Sequence, residues 1–276
     1  MEWNWLLGLI YGSVSGLFEF LPVSPRVHQQ ALLKLTGASA PGHGISLAIH
    51  LGALAAVIFA YLPTLSKFAR ERKIARQPKH RRRRQPDGTS LMYMRLLKIS
   101  AVPVLLSCIF TPWLSYINRM WVLAILTVIN GVVVMLPHYM VRANKDVRSL
   151  SPLDATLVGM GGMLSAIPGF SRVGAMTAVS SMRGMDWKFG LDFAYLLSIP
   201  VLAVICIVDL GMLLFAREAI SWAMLLPCVL ACAGAFAFGV PAIRLMNFLA
   251  VKNSYEGFAY YNWGLAMFIM ILYLIG

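Results

Sequence analysis

The chain has 276 residues, of which 59% are hydrophobic and only 13% charged, against roughly 25% charged in a soluble globular domain. Charge at that density cannot coat a water-soluble globule of this length, which excludes a soluble enzyme, a disordered chain and a disulfide-stapled secreted module. The composition leaves an all-α, polytopic helical membrane protein, read as a single integral membrane domain over residues 1–276.

The first apolar segment is expected at about residues 3–23. Its start, Met1-Glu2-Trp3, lacks a basic n-region and a small-residue cleavage site, so no cleavable signal peptide is expected. Polar groups and prolines interrupt its far end, at Glu19-Phe20-Leu21-Pro22-Val23-Ser24-Pro25-Arg26-Val27-His28. A second segment is expected at 44–65, where His50 reads as a satisfied core histidine.

Residues 66–95 then read as a basic cytoplasmic loop. Lys and Arg outnumber Asp and Glu by 24 to 11 in the whole chain, and the run from His80 to Arg84 is the densest cluster. Alone, that run resembles a nucleic-acid patch. Between two apolar segments, the positive-inside rule is the simpler cause, and no nucleic-acid partner is expected.

Further apolar segments follow at 96–115, 119–140, 153–182, 191–216, 220–243 and 258–276. With 66–95 inside, Arg142, Lys145 and Arg148 also fall inside, as the same rule prefers. Segment 153–182 is interrupted at Ile167-Pro168-Gly169-Phe170-Ser171-Arg172-Val173-Gly174. Gly159, Gly161 and Gly162 ahead of it read as sites of close helix packing. Asp209 reads as a structural acid within reach of Arg217, and Cys108, Cys206, Cys228 and Cys232 as small core residues.

Proline ends or kinks a helix, and non-helical backbone at membrane depth survives only where protein or a water-filled cavity satisfies it. Both interrupted segments are therefore candidate broken or re-entrant hairpins. Each places Arg-Val four residues after a proline, at Arg26-Val27 after Pro22 and at Arg172-Val173 after Pro168. Interruptions at corresponding places point to an inverted repeat with its site between the halves. The hairpins would enter from opposite faces and meet.

Arginine near the bilayer middle costs about 2.5–3.5 kcal/mol or more on insertion scales, so it faces a cavity and a partner. Arg172, after the Pro168-Gly169 break and before Gly174, combines a guanidinium with a helix start, a form suited to phosphate. Ser171 adds a hydroxyl, and Arg26 is a second cation for a diphosphate or else faces water. Glu19 is either neutral and hydrogen-bonded or ionised beside a cation or metal. With His28 it suffices for metal holding, general acid–base work or attack on phosphorus. The bland reading of this pair is ordinary hairpin packing.

These stretches resemble the undecaprenyl-diphosphate phosphatase family, the BacA/UppP bacitracin-resistance proteins. The likeness rests on Gly16-Leu17-Phe18-Glu19-Phe20-Leu21-Pro22-Val23-Ser24 with His28, on Ile49-His50-Leu51-Gly52, on Ala166 to Arg172, and on Phe193 to Pro200. It implies hydrolysis of a C55 isoprenoid diphosphate to the monophosphate, recycling a cell-wall carrier lipid at an outward-opening site in the bacterial inner membrane. Carried over by residue, it implies Glu19, His28 and Arg172 as catalytic residues and Glu19 as ligand to a divalent cation, Mg²⁺ or Ca²⁺. Ser24, Arg26, Gly169, Ser171 and Gly174 are assigned to substrate binding, and a homodimer is a further expectation. His28 would serve as proton donor or as nucleophile.

The chain departs from the family pattern at three points. Ser15 stands at the first position of its E/Q-x-x-x-E motif, Pro25 at the second serine of its P-V-S-S stretch, and Val173 at the second serine of P-G-x-S-R-S-G. Those departures keep two other readings open at this point, a non-catalytic polyprenyl-phosphate transporter and a lipid-binding pseudo-enzyme.

Overall fold

The computed structural model describes residues 3–114, 117–139, 145–215, 222–252 and 255–275. Among them the chain forms ten α-helices and no strand. In chain order these are α1 (Trp5–Glu19), α2 (Pro25–Thr36), α3 (His43–Arg76), α4 (Gly88–Leu114), α5 (Met120–Met135), α6 (Pro152–Met163), α7 (Arg172–Met182), α8 (Trp187–Phe215), α9 (Trp222–Lys252) and α10 (Glu256–Ile275). Six of them, α3, α4, α5, α8, α9 and α10, are long and apolar enough to cross a membrane. Large apolar side chains such as Phe59, Phe215, Trp222, Phe248 and Leu274 stand exposed around the outside. An apolar exterior on a bundle of such helices needs lipid rather than water as its solvent. The protein is a multi-pass membrane protein.

The basic stretch corrects the expected loop at 66–95. Helix α3 runs on to Arg76 and α4 starts at Gly88, so the connection is only residues 77–87. Lys and Arg are good helix formers, and leaving the apolar span does not end a helix. Internal pairing also ties the turn down. Glu71, buried at the end of α3, pairs with Arg84 and accepts the Asp87 backbone N–H at 2.9 Å. Asp87 accepts from the Ser90 hydroxyl and from Lys67, which hold its carboxyl down to about 2.

The two shortest hairpins open at opposite ends of the bundle. Helix α1 runs parallel to α9, with Gly8, Gly12 and Gly16 set against Pro227, Ala231 and Ala235. The α1–α2 pair therefore opens toward the start of α9, where Trp3, Leu33 and Ile45 cluster. Helices α6 and α7 open at the other end. There Asp154 of α6 pairs with Arg183 just after α7 at 2.6 Å and with Lys145 at 3.2 Å, while Trp187 stacks near Tyr255, beyond the end of α9. The two helix pairs thus open at opposite ends, and their tips meet inside the bundle. Arg142 and Arg217 lie outside the described residues. Asp209 is paired with His50 at 2.6 Å, joining α8 to α3.

Glycine sets how closely these helices approach. A Cβ at Gly12 would lie 2.1 Å from the Ala231 carbonyl oxygen, and one at Gly159 2.2 Å from that of Ser100. Cβ atoms at Gly161 and Gly162 would lie 2.7 Å from the Val179 and Val104 side chains, as expected for packing sites. Gly12→Ala would force α1 away from α9, and with it the tip that α1 carries. It is expected to cost about 1–3 kcal/mol, read as a lower midpoint of thermal unfolding in detergent; an unchanged midpoint would contradict this packing.

Candidate functional site

Pro22 and Pro25 prevent α1 from running into α2, and residues 20–24 make the tip between them. Four carbonyls at this tip are met by side chains. The Tyr195 hydroxyl donates to the Phe20 carbonyl at 2.7 Å and the Ser171 hydroxyl to that of Leu21 at 2.8 Å. Asn262 donates to the Pro22 carbonyl at 3.1 Å, and His28 Nδ1 approaches the Ser24 carbonyl at 2.7 Å. These partners supply what a membrane interior does not, which is why the break is tolerated.

The second tip is built the same way. After α6 the chain passes through a single 3-10 turn and Pro168 to Gly169, whose φ of 102° is a left-handed conformation that favours glycine. Ser171 then caps α7. Its hydroxyl accepts the Gly174 N–H at 3.0 Å while donating to Leu21, and its own N–H goes to Asn130 Oδ1 at 3.0 Å. Gly174 lets α7 approach Pro22, where a Cβ would meet the proline at 3.1 Å. Gly169 packs on Leu126. Ser171 and Gly174 therefore hold the two tips together, Gly169 sets the second tip against α5, and the Ser171 hydroxyl both donates and accepts within the protein.

Across this junction Arg172, the first residue of α7, forms an ion pair with Glu19, the last of α1. The two side chains are only 6% and 17% exposed, so the pair is shielded from water and weakly screened. Three donor atoms nearby on these tips are buried without any partner: Arg172 Nε, Arg26 Nη1 and the Ser24 hydroxyl. Buried donors cost free energy unless something accepts from them. Ser24 caps α2 in position only, with no side-chain bond to the helix, so its hydroxyl is not spent on capping.

His28 is buried on α2, stacked on Phe18 with ring centroids 3.4 Å apart. The Ser24 carbonyl can only accept, so Nδ1 carries the proton. Nε2 is then the lone-pair nitrogen, and Tyr261 of α10 donates to it at 2.8 Å. His28 stacks on Phe18, the chain neighbour of Glu19, and its hydrogen bonds go to Ser24 and Tyr261. Of the sequence-predicted residues, Glu19, Arg172, Ser171 and Gly174 meet directly at the junction, with Ser24, Arg26 and His28 on the tip and first turns of α2.

Sequence reasoning missed Asn130, Asn262, Tyr195, Tyr261 and Gln29. Asn130 and Asn262 are bonded to each other at 2.9 Å and are fully buried at the junction. Gln29 donates to Ser15 at 2.9 Å, and Ser15 donates on to the Tyr11 carbonyl at 2.6 Å. The available signal was an amide within an otherwise apolar segment, which at membrane depth marks a structural or functional contact.

The junction thus gathers the Arg172–Glu19 pair and unpartnered donors of Ser24, Arg26 and Arg172, with the His28 imidazole one turn into α2. A family model described as "Bacitracin resistance protein BacA" matches residues 8–268. Among similar proteins is one named undecaprenyl-diphosphatase from Carboxydothermus hydrogenoformans, 26% identical over 277 residues and covering 99% of both chains. Another of that name, from Methanobrevibacter smithii, is 28% identical with 92% of each chain covered. A third, from Ruthia magnifica, is 29% identical with 73% of this chain and 76% of its own covered. A match that takes in both broken hairpins and every long helix leaves one conclusion: the chain belongs to the BacA bacitracin-resistance family.

Proposed function

We propose that this protein is a membrane lipid diphosphatase, hydrolysing undecaprenyl diphosphate to the monophosphate and phosphate. The observation that carries this reading is the set of three unpartnered buried donors, Ser24 Oγ, Arg26 Nη1 and Arg172 Nε, on two facing tips. A diphosphate presents the acceptor oxygens these donors lack. The relatives named undecaprenyl-diphosphatase support the same chemistry. The setting we propose is the bacterial inner membrane with the site reached from the outer face, a reading supported by the basic turn at 77–87, whose Lys and Arg favour the cytoplasmic side for that end of the bundle.

In this reading Arg172 and the Ser24 hydroxyl take the oxygens of the terminal phosphate. Water attacks that phosphorus, its oxygen forming the new P–O bond as the anhydride P–O bond breaks. The proton goes to His28 Nε2, whose lone pair Tyr261 holds in place until water replaces the phenol. The lipid leaves as the monophosphate, its bridging oxygen already anionic. Glu19, through its ion pair, aims the Arg172 guanidinium at the phosphorus and is a positioning residue.

Glu19→Gln keeps the side chain's shape and removes its charge. Turnover is expected to fall about 10- to 100-fold with KM unchanged or lowered, because Arg172 then meets the substrate unneutralised. Phosphate release measured across substrate concentrations checks this, and an unchanged kcat would remove Glu19 from the reaction.

A further inference from the structure

A diphosphate brings two or more negative charges into this pocket, and something must balance them. We infer that in this protein the balance comes from two guanidinium groups, Arg26 and Arg172, one from each hairpin, and that turnover needs no divalent cation. The inference rests on the diphosphatase reading and specifies how the pocket meets its substrate.

The donor set argues against a cation cage built by the protein. Among the described residues no three His, Cys, Asp or Glu side chains come together in a way that could hold a metal ion. Glu19, the carboxylate at the junction, is already paired with Arg172. One helical turn before it stands Ser15, whose hydroxyl is engaged by Gln29 and the Tyr11 carbonyl. A Mg²⁺ held here would have one protein carboxylate, shared with a guanidinium, and would depend on phosphate and water for its remaining sites.

The second cation is built in. Arg26 is the second residue of α2 and Arg172 the first of α7, so each hairpin places an arginine in the first turn of its returning helix. Both helix starts add partial positive charge. The Arg26 guanidinium lies within electrostatic range of Glu19, Asp209 and Tyr11. Asp209 is itself paired with His50 at 2.6 Å, and Arg26 forms no ion pair among the described residues, with Nη1 buried and unpartnered. Arg172, by contrast, is half-committed to Glu19. A guanidinium with a buried, unpartnered Nη1 and no carboxylate on it is a standing demand for an anion. Arg26 is thus the freer of the two to take the inner phosphate, while Arg172 takes the outer one.

The test uses the purified, detergent-solubilised full chain. Phosphate release from undecaprenyl diphosphate is measured in excess chelator and with added Mg²⁺ or Ca²⁺, and binding of inorganic diphosphate is titrated calorimetrically in chelator. The wild type is expected to turn over in chelator within about 3-fold of its rate with Mg²⁺. Arg26→Ala is expected to weaken diphosphate binding in chelator about 10- to 100-fold, the effect of losing one charge-assisted hydrogen-bonding group. Arg26→Lys, which keeps the charge, should recover part of it and serves as the readout if the alanine variant does not fold. Wild-type turnover and diphosphate binding that vanish in chelator and return with metal would overturn the inference and leave the diphosphatase reading standing. No turnover under any condition would overturn that reading, whereas Arg26-dependent binding in chelator would still support the cation assignment.

Discussion

Arg172→Ala is expected to lower kcat/KM for undecaprenyl diphosphate by about 1,000-fold or more, since it removes the group aimed at charge developing on phosphorus in a water-poor site. The chain's own geometry sets that scale. Arg172 is 6% exposed and ion-paired to Glu19 across the junction, so no solvent cation can take its place. Lysine should restore little, because an ammonium cannot hold Glu19 and a phosphate oxygen with the same planar fork. The folded yield is a separate matter: deleting Arg172 strands Glu19, and a double variant, Arg172→Ala with Glu19→Gln, relieves that charge. If the double variant folds and is still inactive, the loss belongs to chemistry and not to stability. Phosphate release normalised to monodisperse protein measures both.

His28→Ala is expected to cost about 100- to 10,000-fold in kcat, the range for a positioned proton acceptor. Two further variants separate this role from packing. His28 stacks on Phe18 and is held through Nδ1 by the Ser24 carbonyl, so His28→Gln retains bulk and hydrogen bonding but lacks the basic nitrogen. It should be as inactive as the alanine variant while unfolding at a temperature closer to wild type. Tyr261→Phe removes only the donor to Nε2, and its kcat should stay within about 10-fold of wild type. Near-normal turnover in His28→Gln would assign the histidine to packing alone.

Both breaks were legible in the sequence because Pro22, Pro25 and Pro168 stand among charged residues, serine and glycine; proline alone does not mark a break, since Pro63, Pro200, Pro227 and Pro241 lie inside helices. Arg172 and Glu19 were legible as charges that a membrane interior must explain. Their partnership was not, since residues 153 positions apart come together only where the end of α1 meets the start of α7. The amides that make the breaks tolerable lay further from view. Asn130 and Asn262 sit in separate helices and act through the backbone of the Pro22 tip, a contact with no sequence spacing of its own.

Other expectations shifted for equally physical reasons. Hydropathy marks where a helix leaves the apolar layer and says nothing about where it ends, so α3 and α4 continue into the basic stretch that reads as loop. Asp209 has an acid's need for a partner, and His50, on a neighbouring helix, meets it. Ser171 drew attention as a donor to substrate, yet cap geometry and the Leu21 carbonyl already use its hydroxyl. Ser24, with no such engagement, is the serine left for the ligand.

The central claim is that Arg172, at the junction of the two tips, works on the diphosphate of a lipid. Its most direct measurement is phosphate release from undecaprenyl diphosphate by the purified protein beside Arg172→Ala, both shown to be folded. Steady release by the wild type, lost in the variant, is the predicted result. Equal release by the two proteins, or none from a folded wild type, would contradict it.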